Sequence, residues 1–335
     1  MQIKTKESMH AIIVDQPDGP EQMRIGEVTR PEPRSHELLV KISATSLNRA
    51  DILQREGHYP PPPGESEILG LDIAGIVVGK GDDVLSWEEG ERVMALVPGG
   101  GYAEYVTVPE QMALPVPPNL TFEEAASIPE AFLTAFQAVV WYGQLKKGET
   151  VLIHAGASGV GTAAIQLAKA IGGQVIITAG SDEKIRFCKA LGADLGVNYK
   201  TDDFQKKVAA FTENHGANVI VDFIGASYWD KNLSSLTLDG RMIILAMLGG
   251  SEVGHFNIRD LFKKRGQVTT SALRSRSLDY KEKLTRDFGT YALPRFSAGT
   301  LKPVIDSVYS WKNVADAHRR MEANTNKGKI VLVID

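Results

Sequence analysis

Cysteine is almost absent from this chain, in which Cys188 is the only one among 335 residues. A single cysteine cannot form an intrachain disulfide, and it cannot build a metal site that needs several thiolates. This pattern favours a reducing compartment, and we expect the protein to be cytoplasmic.

Long apolar runs and a strong excess of charge are absent as well. No run approaches the ~18 apolar residues of a membrane span, and the N-terminal stretch MQIKTKESMH lacks the apolar core of a secretory signal. Lysine and arginine number 37 and aspartate and glutamate 41, which gives a net charge of −4. A balanced chain gives no broad electrostatic reason to bind nucleic acid or a membrane, so we expect a small-molecule partner.

Two kinds of sequence pattern follow one another along the chain, whose length suits about two domains of roughly 150 residues each. Strand-like runs separated by glycine, proline and aspartate predict a β-rich first domain, with strands at 11–14, 38–43, 73–78, 92–97 and 102–108. Thr121 and Glu124 have the spacing of a capping box, and a helix is expected over 132–140.

From 149 to about 273 the chain alternates between strand-like and helix-like runs, which predicts a doubly wound parallel sheet. Its six strands are expected at 151–154, 174–178, 195–198, 219–223, 242–246 and 268–272. A last strand-like run at 329–333 needs a partner, and we expect that partner in the first domain.

A glycine-rich turn follows the first of these six strands, in the segment VLIHAGASGVGTAAIQLAKA. Glycines at 156, 159 and 161 permit a tight turn and a close approach of the backbone to phosphate, and the next helix begins with unpaired amides. The order of strand, turn and helix therefore predicts a Rossmann-type dinucleotide site. An ordinary tight turn is the alternative.

The end of the second strand lacks the carboxylate that usually holds the bare ribose of NADH. This position reads Thr178, Ala179, Gly180 and Ser181, and Lys184 follows in the first turn of the next helix. A lysine can reach a 2′-phosphate, so we expect NADPH as the cofactor. In the alternative interpretation Ser181 is only a helix N-cap and Lys184 is solvated.

Seven motifs in this order and spacing resemble the zinc-free quinone oxidoreductases of the medium-chain dehydrogenase/reductase superfamily. They are SLNRADILQREGHYPPP, ILGLDIAG, GGGYAEYVTVP, IPEAFLTAFQ, HAGASGVGTAAIQLAK, VNYKTDDF and GKIVL. The resemblance covers nearly the whole chain and implies an α/β protein. A GroES-like β-rich catalytic domain (1–127 and 278–335) would accompany a doubly wound Rossmann domain (128–277).

Zinc ligands of the superfamily are missing from the expected positions. Zinc-dependent members carry a cysteine near the position of Asn48 and a histidine at that of Leu71, and the seven histidines show no metal-ligand spacing. We therefore expect no bound metal. A substrate that accepts hydride without a bound cation, such as a quinone, fits this expectation best.

The resemblance also implies catalytic residues. It places Tyr59 beside the nicotinamide, Asn48 and Asp51 beneath it, and Thr134 on the carboxamide. Each has a structural alternative: Tyr59 can pack on the proline loop, Asn48 can be a helix N-cap, Asp51 can organise the loop and Thr134 can lie on a helix surface.

The family pattern assigns the 2′-phosphate to Ser181, Lys184 and Tyr199, and it lets the turn from Asn326 to Lys329 close over the cofactor. Tyr199 can instead pack on the sheet. The predicted cofactor-binding residues are Gly156, Ser158, Gly159, Val160, Gly161, Gly180, Ser181, Lys184, Tyr199, Ile224, Gly225, Met247, Gly249, Leu273, Asn326 and Lys329.

The leading hypothesis is NADPH-dependent reduction of a quinone seated between the two domains. Two alternatives stay open: reduction of the double bond of an alkenal or an enoyl thioester by the same fold, and a non-catalytic protein that binds NADPH. A homodimer is expected by analogy, since an open Rossmann sheet has edge strands through which copies can pair.

Overall fold

The computed structural model describes residues 7–335. The expectation about the N-terminus depends partly on residues 1–6, which lie outside the described residues. The chain divides into two compact units. Unit 1 contains the chain up to Leu133 together with Arg274–Asp335, and unit 2 contains Thr134–Leu273.

Unit 1 is built on two sheets whose strands pair antiparallel, except for the parallel pair formed by its last two strands. Its strands are β1 (Ser8–Val14), β2 (Met23–Thr29), β3 (Glu37–Ser46), β4 (Asp72–Lys80), β5 (Arg92–Leu96), β6 (Tyr105–Pro109) and β7 (Ala113–Pro115), joined near the C-terminus by β14 (Ile305–Ser310) and β15 (Lys329–Val333). The larger sheet has the order β14-β15-β3-β4-β5-β7, and β6 also pairs with β3. β1 and β2 form a separate two-stranded sheet.

Unit 2 contains a six-stranded parallel sheet. Its strands are β8 (Thr150–Ile153), β9 (Gln174–Ala179), β10 (Leu195–Asn198), β11 (Ala217–Asp222), β12 (Leu236–Ile244) and β13 (Gln267–Thr270). Their order is β10-β9-β8-β11-β12-β13, so the chain reverses direction across the sheet between β8 and β11. This is the strand order of a dinucleotide-binding fold, which binds its ligand at the carboxyl ends of the strands.

The helices lie between the strands and contain from 5 to 20 residues. They are α1 (Arg49–Arg55), α2 (Phe122–Ala126), α3 (Pro129–Phe136), α4 (Gly159–Ile171), α5 (Asp182–Ala190), α6 (Phe204–Phe211), α7 (Trp229–Ser235), α8 (Ile258–Lys264), α9 (Leu278–Ser297) and α10 (Val314–Glu322). A π-helical turn, Gln137–Tyr142, extends α3. Within the described residues, no helix is both long and apolar enough to cross a membrane.

The predicted α/β class is confirmed, and all six strands of the doubly wound sheet are present. β8 is buried at every residue, as expected for a parallel strand whose two faces are covered. The capping box at Thr121 is present, with the backbone amide of Glu124 donating to the Thr121 hydroxyl. The last strand, β15, pairs with β3 in unit 1, as we expected.

Three strands of unit 1, β2, β7 and β14, were not expected from the sequence, and β14 has no fully buried residue. β2 alternates but buries only Met23 fully, because its one partner is β1 in a two-stranded sheet. β7 has three residues and follows directly on a 3-10 turn. None of these segments offers the run of buried apolar residues by which a strand is recognised.

Candidate functional site

The glycine turn between β8 and α4 is shaped by backbone contacts. A Cβ atom on Gly161 would lie 2.5 Å from the carbonyl oxygen of Ala155 and 2.7 Å from that of Gly156, and a Cβ on Gly156 would lie 2.7 Å from the Cβ of Ile177. Ala155 itself adopts a φ of 48°. The turn therefore has no room for a side chain at Gly156 or Gly161.

The first turn of α4 presents amide groups to that space. Ser158 is the N-cap residue, and its hydroxyl accepts the amide of Gly161 at 3.0 Å. The first hydrogen bond of the helix runs from the amide of Thr162 to the carbonyl of Ser158, at 2.9 Å. The amides of Gly159 and Val160 precede it, so they have no partner within the helix and can donate to a phosphate.

The carboxyl end of β9 has the features expected around a 2′-phosphate. Ser181 is the N-cap of α5, and its hydroxyl accepts the backbone amide of Lys184 at 3.3 Å. Tyr199 covers Gly180, where a Cβ would lie 2.6 Å from the phenol oxygen. The nearest carboxylate in sequence, Asp182, accepts the side-chain amide of Asn198 at 2.9 Å.

The loops that follow β11 and β12 support one another. The carboxylate of Asp222 accepts the amides of Ile224, at 2.7 Å, and Gly225, at 3.1 Å. The amide of Gly249 donates to the carbonyl of Ile224 at 2.7 Å. Gly225 has a φ of 80°, and a Cβ there would lie 3.1 Å from the Cα of Met247. These residues hence gather at the carboxyl edge of the unit 2 sheet.

The remaining predicted cofactor-binding residues are Leu273, Asn326 and Lys329. Leu273 is half-buried and ends unit 2 just after β13, and Asn326 lies in unit 1, where its side-chain amide donates to the carbonyl of Gly328 at 2.9 Å. The ammonium of Lys329 is also in unit 1 and is buried, at 2.6 Å from Oδ1 of Asn48 and 3.0 Å from Oδ2 of Asp72. Within unit 1, Lys329 is thus a member of a buried polar cluster, and its contact with the cofactor stays a prediction.

Asp72 is the centre of the cluster, which we call the Asp72 cluster and define as Ser46, Asn48, Asp72 and Lys329. Its carboxylate is fully buried and accepts the Ser46 hydroxyl at 2.7 Å, the Asn48 side-chain amide at 2.8 Å and the Lys329 ammonium. Its second oxygen accepts the backbone amide of Glu130 at 2.6 Å. One carboxylate thereby ties β3, α1, β15 and the start of α3 together.

Asn48 and Asp51 have the structural roles that the sequence left open as alternatives. Asn48 is the N-cap residue of α1, and the carboxylate of Asp51 accepts its backbone amide at 2.7 Å. Asp51 is fully buried and also accepts the amide of Gly70 at 3.1 Å. Burial raises the pKa of Asp51 to about 7. Since it has no exposed surface, Asp51 supports the site from within the fold.

A buried chain of polar side chains extends from Asp51. The phenol of Tyr102 lies 3.5 Å from the Asp51 carboxylate and 3.3 Å from Nε2 of His318. Nδ1 of His318 lies 3.2 Å from the guanidinium of Arg55, which pairs with Glu322 at 2.6 Å. Burial, together with the charge of Arg55, lowers the pKa of His318 to about 3, so the imidazole is neutral.

Tyr59 is half-buried at the start of the proline loop, and the prolines at 60–63 belong to neither helix nor strand. The guanidinium of Arg274 lies 5.3 Å from its ring centre. Burial raises the pKa of Tyr59, with Arg274 acting in the opposite direction, so the phenol is protonated at neutral pH. Thr134, also predicted to be catalytic, is half-buried within α3.

His154, at the end of β8, is a neutral core residue. Nδ1 lies 2.9 Å from the Thr178 hydroxyl and Nε2 lies 2.7 Å from Oδ1 of Asn232, while the rings of Phe204 and Tyr228 each lie 4.9 Å away. Burial lowers its pKa to about 4.

Sequence reasoning did not identify three residues of these clusters, namely Asp72, Arg274 and His318. Asp72 could have been noticed as a carboxylate at the entry of an apolar strand, in GLDIAG. Arg274 and His318 carry no such local signal, because their partners lie more than a hundred residues away in sequence. Among residues 7–335, no three His, Cys, Asp or Glu side chains group in a way that could hold a metal.

Comparisons with known proteins agree with this geometry. Residues 34–118 match the family described as alcohol dehydrogenase GroES-like domain, and residues 159–288 match zinc-binding dehydrogenase. Human quinone oxidoreductase is 30% identical over 332 residues, which cover 97% of this chain and 98% of that protein.

The chain belongs to the medium-chain dehydrogenase/reductase superfamily. It contains the GroES-like domain that the sequence predicted, and the protein is an oxidoreductase similar to quinone oxidoreductases.

Two solved structures match over the full fold. A quinone oxidoreductase of Pseudomonas syringae has a TM-score of 0.87 and 29% identity, covering 98% of this chain and all of that one. A mycobacterial protein solved in complex with NADPH has a TM-score of 0.86 and 29% identity, covering 97% of this chain and all of that one.

Proposed function

We propose that this protein reduces quinones with NADPH and needs no metal. The observation that carries the proposal is the carboxyl edge of the unit 2 sheet. There the first amides of α4 have no partner within the helix, and the end of β9 lacks a carboxylate that would repel a 2′-phosphate. Bound there, NADPH supplies a hydride. Reduction of a quinone to a hydroquinone consumes that hydride and one proton, and it releases NADP⁺.

Selection of NADPH over NADH is attributed to the end of β9. A carboxylate at this position would repel a 2′-phosphate, and the one nearby, Asp182, is directed to Asn198. Ser181, Lys184 and Tyr199 instead offer donors and a cation. One charge-assisted hydrogen bond contributes roughly 1.5–3 kcal/mol, which corresponds to about a ten- to hundredfold preference.

The residues at the position of the superfamily's zinc do not fit a divalent cation. Asn48 stands where zinc-dependent members have a cysteine, and the ammonium of Lys329 lies 2.6 Å from its side-chain oxygen. A second cation at this point would be repelled by the ammonium in a low-dielectric setting. Leu71 offers no ligand atom where the second zinc ligand would stand. The support for a metal-free reaction is thus the identity of the side chains.

Quinones suit such a site because the developing oxyanion is stabilised by conjugation in the substrate itself. The protein then needs to position the ring and provide a proton donor. Tyr59 carries its phenol proton at neutral pH and is the donor we propose, with solvent as the other source.

The test is steady-state oxidation of NADPH and of NADH with a panel of ortho- and para-quinones, on protein analysed for metal. We expect quinone-dependent turnover, a ten- to hundredfold preference for NADPH, and rates unchanged by a chelator. Stoichiometric zinc or a preference for NADH would contradict the proposal. Complete absence of turnover with tight NADPH binding would favour a binding protein instead.

A second candidate is reduction of the double bond of an alkenal or an enoyl thioester, favoured by the protonated Tyr59 beneath a guanidinium. Here hydride is added to the β-carbon and a proton to the α-carbon, which makes a greater demand on the donor. The variant Tyr59→Phe, measured on quinone and enal substrates side by side, separates the two. Loss of enal turnover with quinone turnover intact would favour this candidate.

We further propose a homodimer formed through β13. This strand is the edge of the unit 2 sheet and pairs with β12 alone among the described residues. Apolar side chains close to it in sequence are exposed, namely Ile258 at 71% and Phe262 at 80%. Light scattering of the wild type and of Phe262→Asp tests this, since the proposal predicts a dimer that the charge weakens.

A further inference from the structure

Arg274 is a buried cation without an adjacent counter-ion. Its side chain is 8% exposed, and it donates to the carbonyl of Pro98 at 2.8 Å, to Oε1 of Gln54 at 2.8 Å and to the carbonyl of Tyr59 at 3.4 Å. All three acceptors are neutral. The ion pairs within 4 Å that residues 7–335 form do not include Arg274. Buried charges are ordinarily paired, so this guanidinium calls for an anion.

Lys281, in the first turn of α9, is a second cation that is partly removed from solvent and outside the ion pairs. Its side chain is half-buried, and it too is outside the ion pairs found among the described residues. Burial lowers its pKa, and the charge of Arg274 lowers it further, whereas Glu65 raises it from beyond ion-pair distance. Burial lowers the pKa of Arg274 as well, while Tyr59, Asp51 and Glu65 raise it. Arg274 and Lys281 are thus near enough to affect each other's charge, and among the described residues neither is in an ion pair with a carboxylate.

The position of these cations relates them to Tyr59. The Arg274 guanidinium lies 5.3 Å from the Tyr59 ring centre and holds the carbonyl of the same residue. A guanidinium has five N–H donors, and three are used here, while an ammonium has three more. Donors are therefore available beside the side chain that we propose as the proton donor.

We propose that Arg274 and Lys281 form an anion subsite that takes a carboxylate, sulfonate or phosphate carried by the substrate. The inference depends on the proposed function only for the assignment of Tyr59 to the substrate side. A phosphate of the dinucleotide has the same chemistry, and the experiment separates the two sources.

The experiment compares 1,4-naphthoquinone with 1,4-naphthoquinone-2-sulfonate for the wild type, Arg274→Met and Lys281→Met. Arg276→Met is the matched control, because it removes one positive charge from the same segment at a residue that contacts the Tyr280 ring instead. We expect kcat/KM for the sulfonate to fall roughly tenfold more than kcat/KM for the neutral quinone in both test variants, and neither value to change in the control.

Equal loss on both quinones in Arg274→Met would overturn the subsite and make Arg274 a clamp that only positions Tyr59. Unchanged sulfonate kinetics in both variants would overturn it as well. A rise in the Kd for NADPH, measured by fluorescence, would overturn the assignment to substrate and give the cations to the cofactor.

A binding measurement keeps the test independent of turnover. We expect sodium sulfate to raise the Tm of the wild type and of Arg276→Met above that in sodium chloride of equal ionic strength, and to do so less in Arg274→Met and Lys281→Met. General salt effects act on all four proteins alike. If all four respond equally, the subsite fails, whereas absence of quinone turnover alone overturns only the proposed function.

Discussion

The polar groups of the two units are arranged in opposite ways. In unit 1, the Asp72 cluster is buried and satisfied by its own members, with Lys329 reaching Asn48 across 281 positions of sequence. In unit 2, the amides of Gly159 and Val160 have no partner within α4, while the amide of Gly156 in the same turn donates to the carbonyl of Thr178 on β9. Polar side chains of unit 1 are thus paired with one another, whereas two backbone amides of unit 2 are the groups that we propose for a phosphate.

We expect the largest effect on stability from removal of the negative charge at the centre of the Asp72 cluster. Asp72→Asn leaves the buried ammonium of Lys329 without its partner, and we expect a loss of about 3–5 kcal/mol in the free energy of unfolding, measured by denaturant titration. Because both charges are then gone, Asp72→Asn combined with Lys329→Met should lose less than the sum of the single changes. Simple additivity would show that the pair is not coupled.

Acid provides the second test, because it acts on a core histidine of unit 2. The pKa of His154 is lowered from 6.5 to about 4, so protonation favours the unfolded chain. The contribution of His154 is fully present above pH 6.5 and decreases as the pH falls towards 4, by about 3 kcal/mol in total. His154→Gln should flatten this part of the stability profile, and an unchanged slope would assign it to other groups.

Filling the glycine turn should affect ligand binding more than folding. In Gly161→Ala the new Cβ meets two carbonyl oxygens of the turn, so the backbone must shift and the open amides of α4 move with it. We expect roughly hundredfold weaker NADPH binding, followed by nucleotide fluorescence. Gly254→Ala is the matched control, since its Cβ would have no neighbour within 4 Å. Equal binding by both variants would refute the phosphate assignment.

The smallest effect concerns cofactor choice. Lys184→Met should raise the Kd for NADPH roughly tenfold and leave the Kd for NADH unchanged, because only the 2′-phosphate differs. Lys189→Met removes an exposed charge from the same helix and should change neither value. Parallel weakening of both nucleotides would mean that Lys184 supports the fold instead.

Much of the fold could be predicted because its signals are local. A buried run such as Val151–Leu152–Ile153, an N-cap at Ser181 and a glycine turn each depend on neighbours within a few residues. β2 was not predicted, because it buries only Met23 fully and pairs with the single strand β1. The catalytic residues predicted by resemblance stay predictions, although the structure gives Asn48 and Asp51 the cap and core roles that sequence reasoning left open.

The sequence by itself determined the alternation of strand and helix, the open turn before α4 and the missing carboxylate at Gly180, since each follows from residue type and spacing. Only the tertiary structure decided where charges meet. Lys329 pairs with Asp72, and Arg274 reaches Tyr59, because distant segments are brought together in unit 1. Burial makes these contacts strong, because a charge in the interior has lost its hydration and depends on protein groups instead.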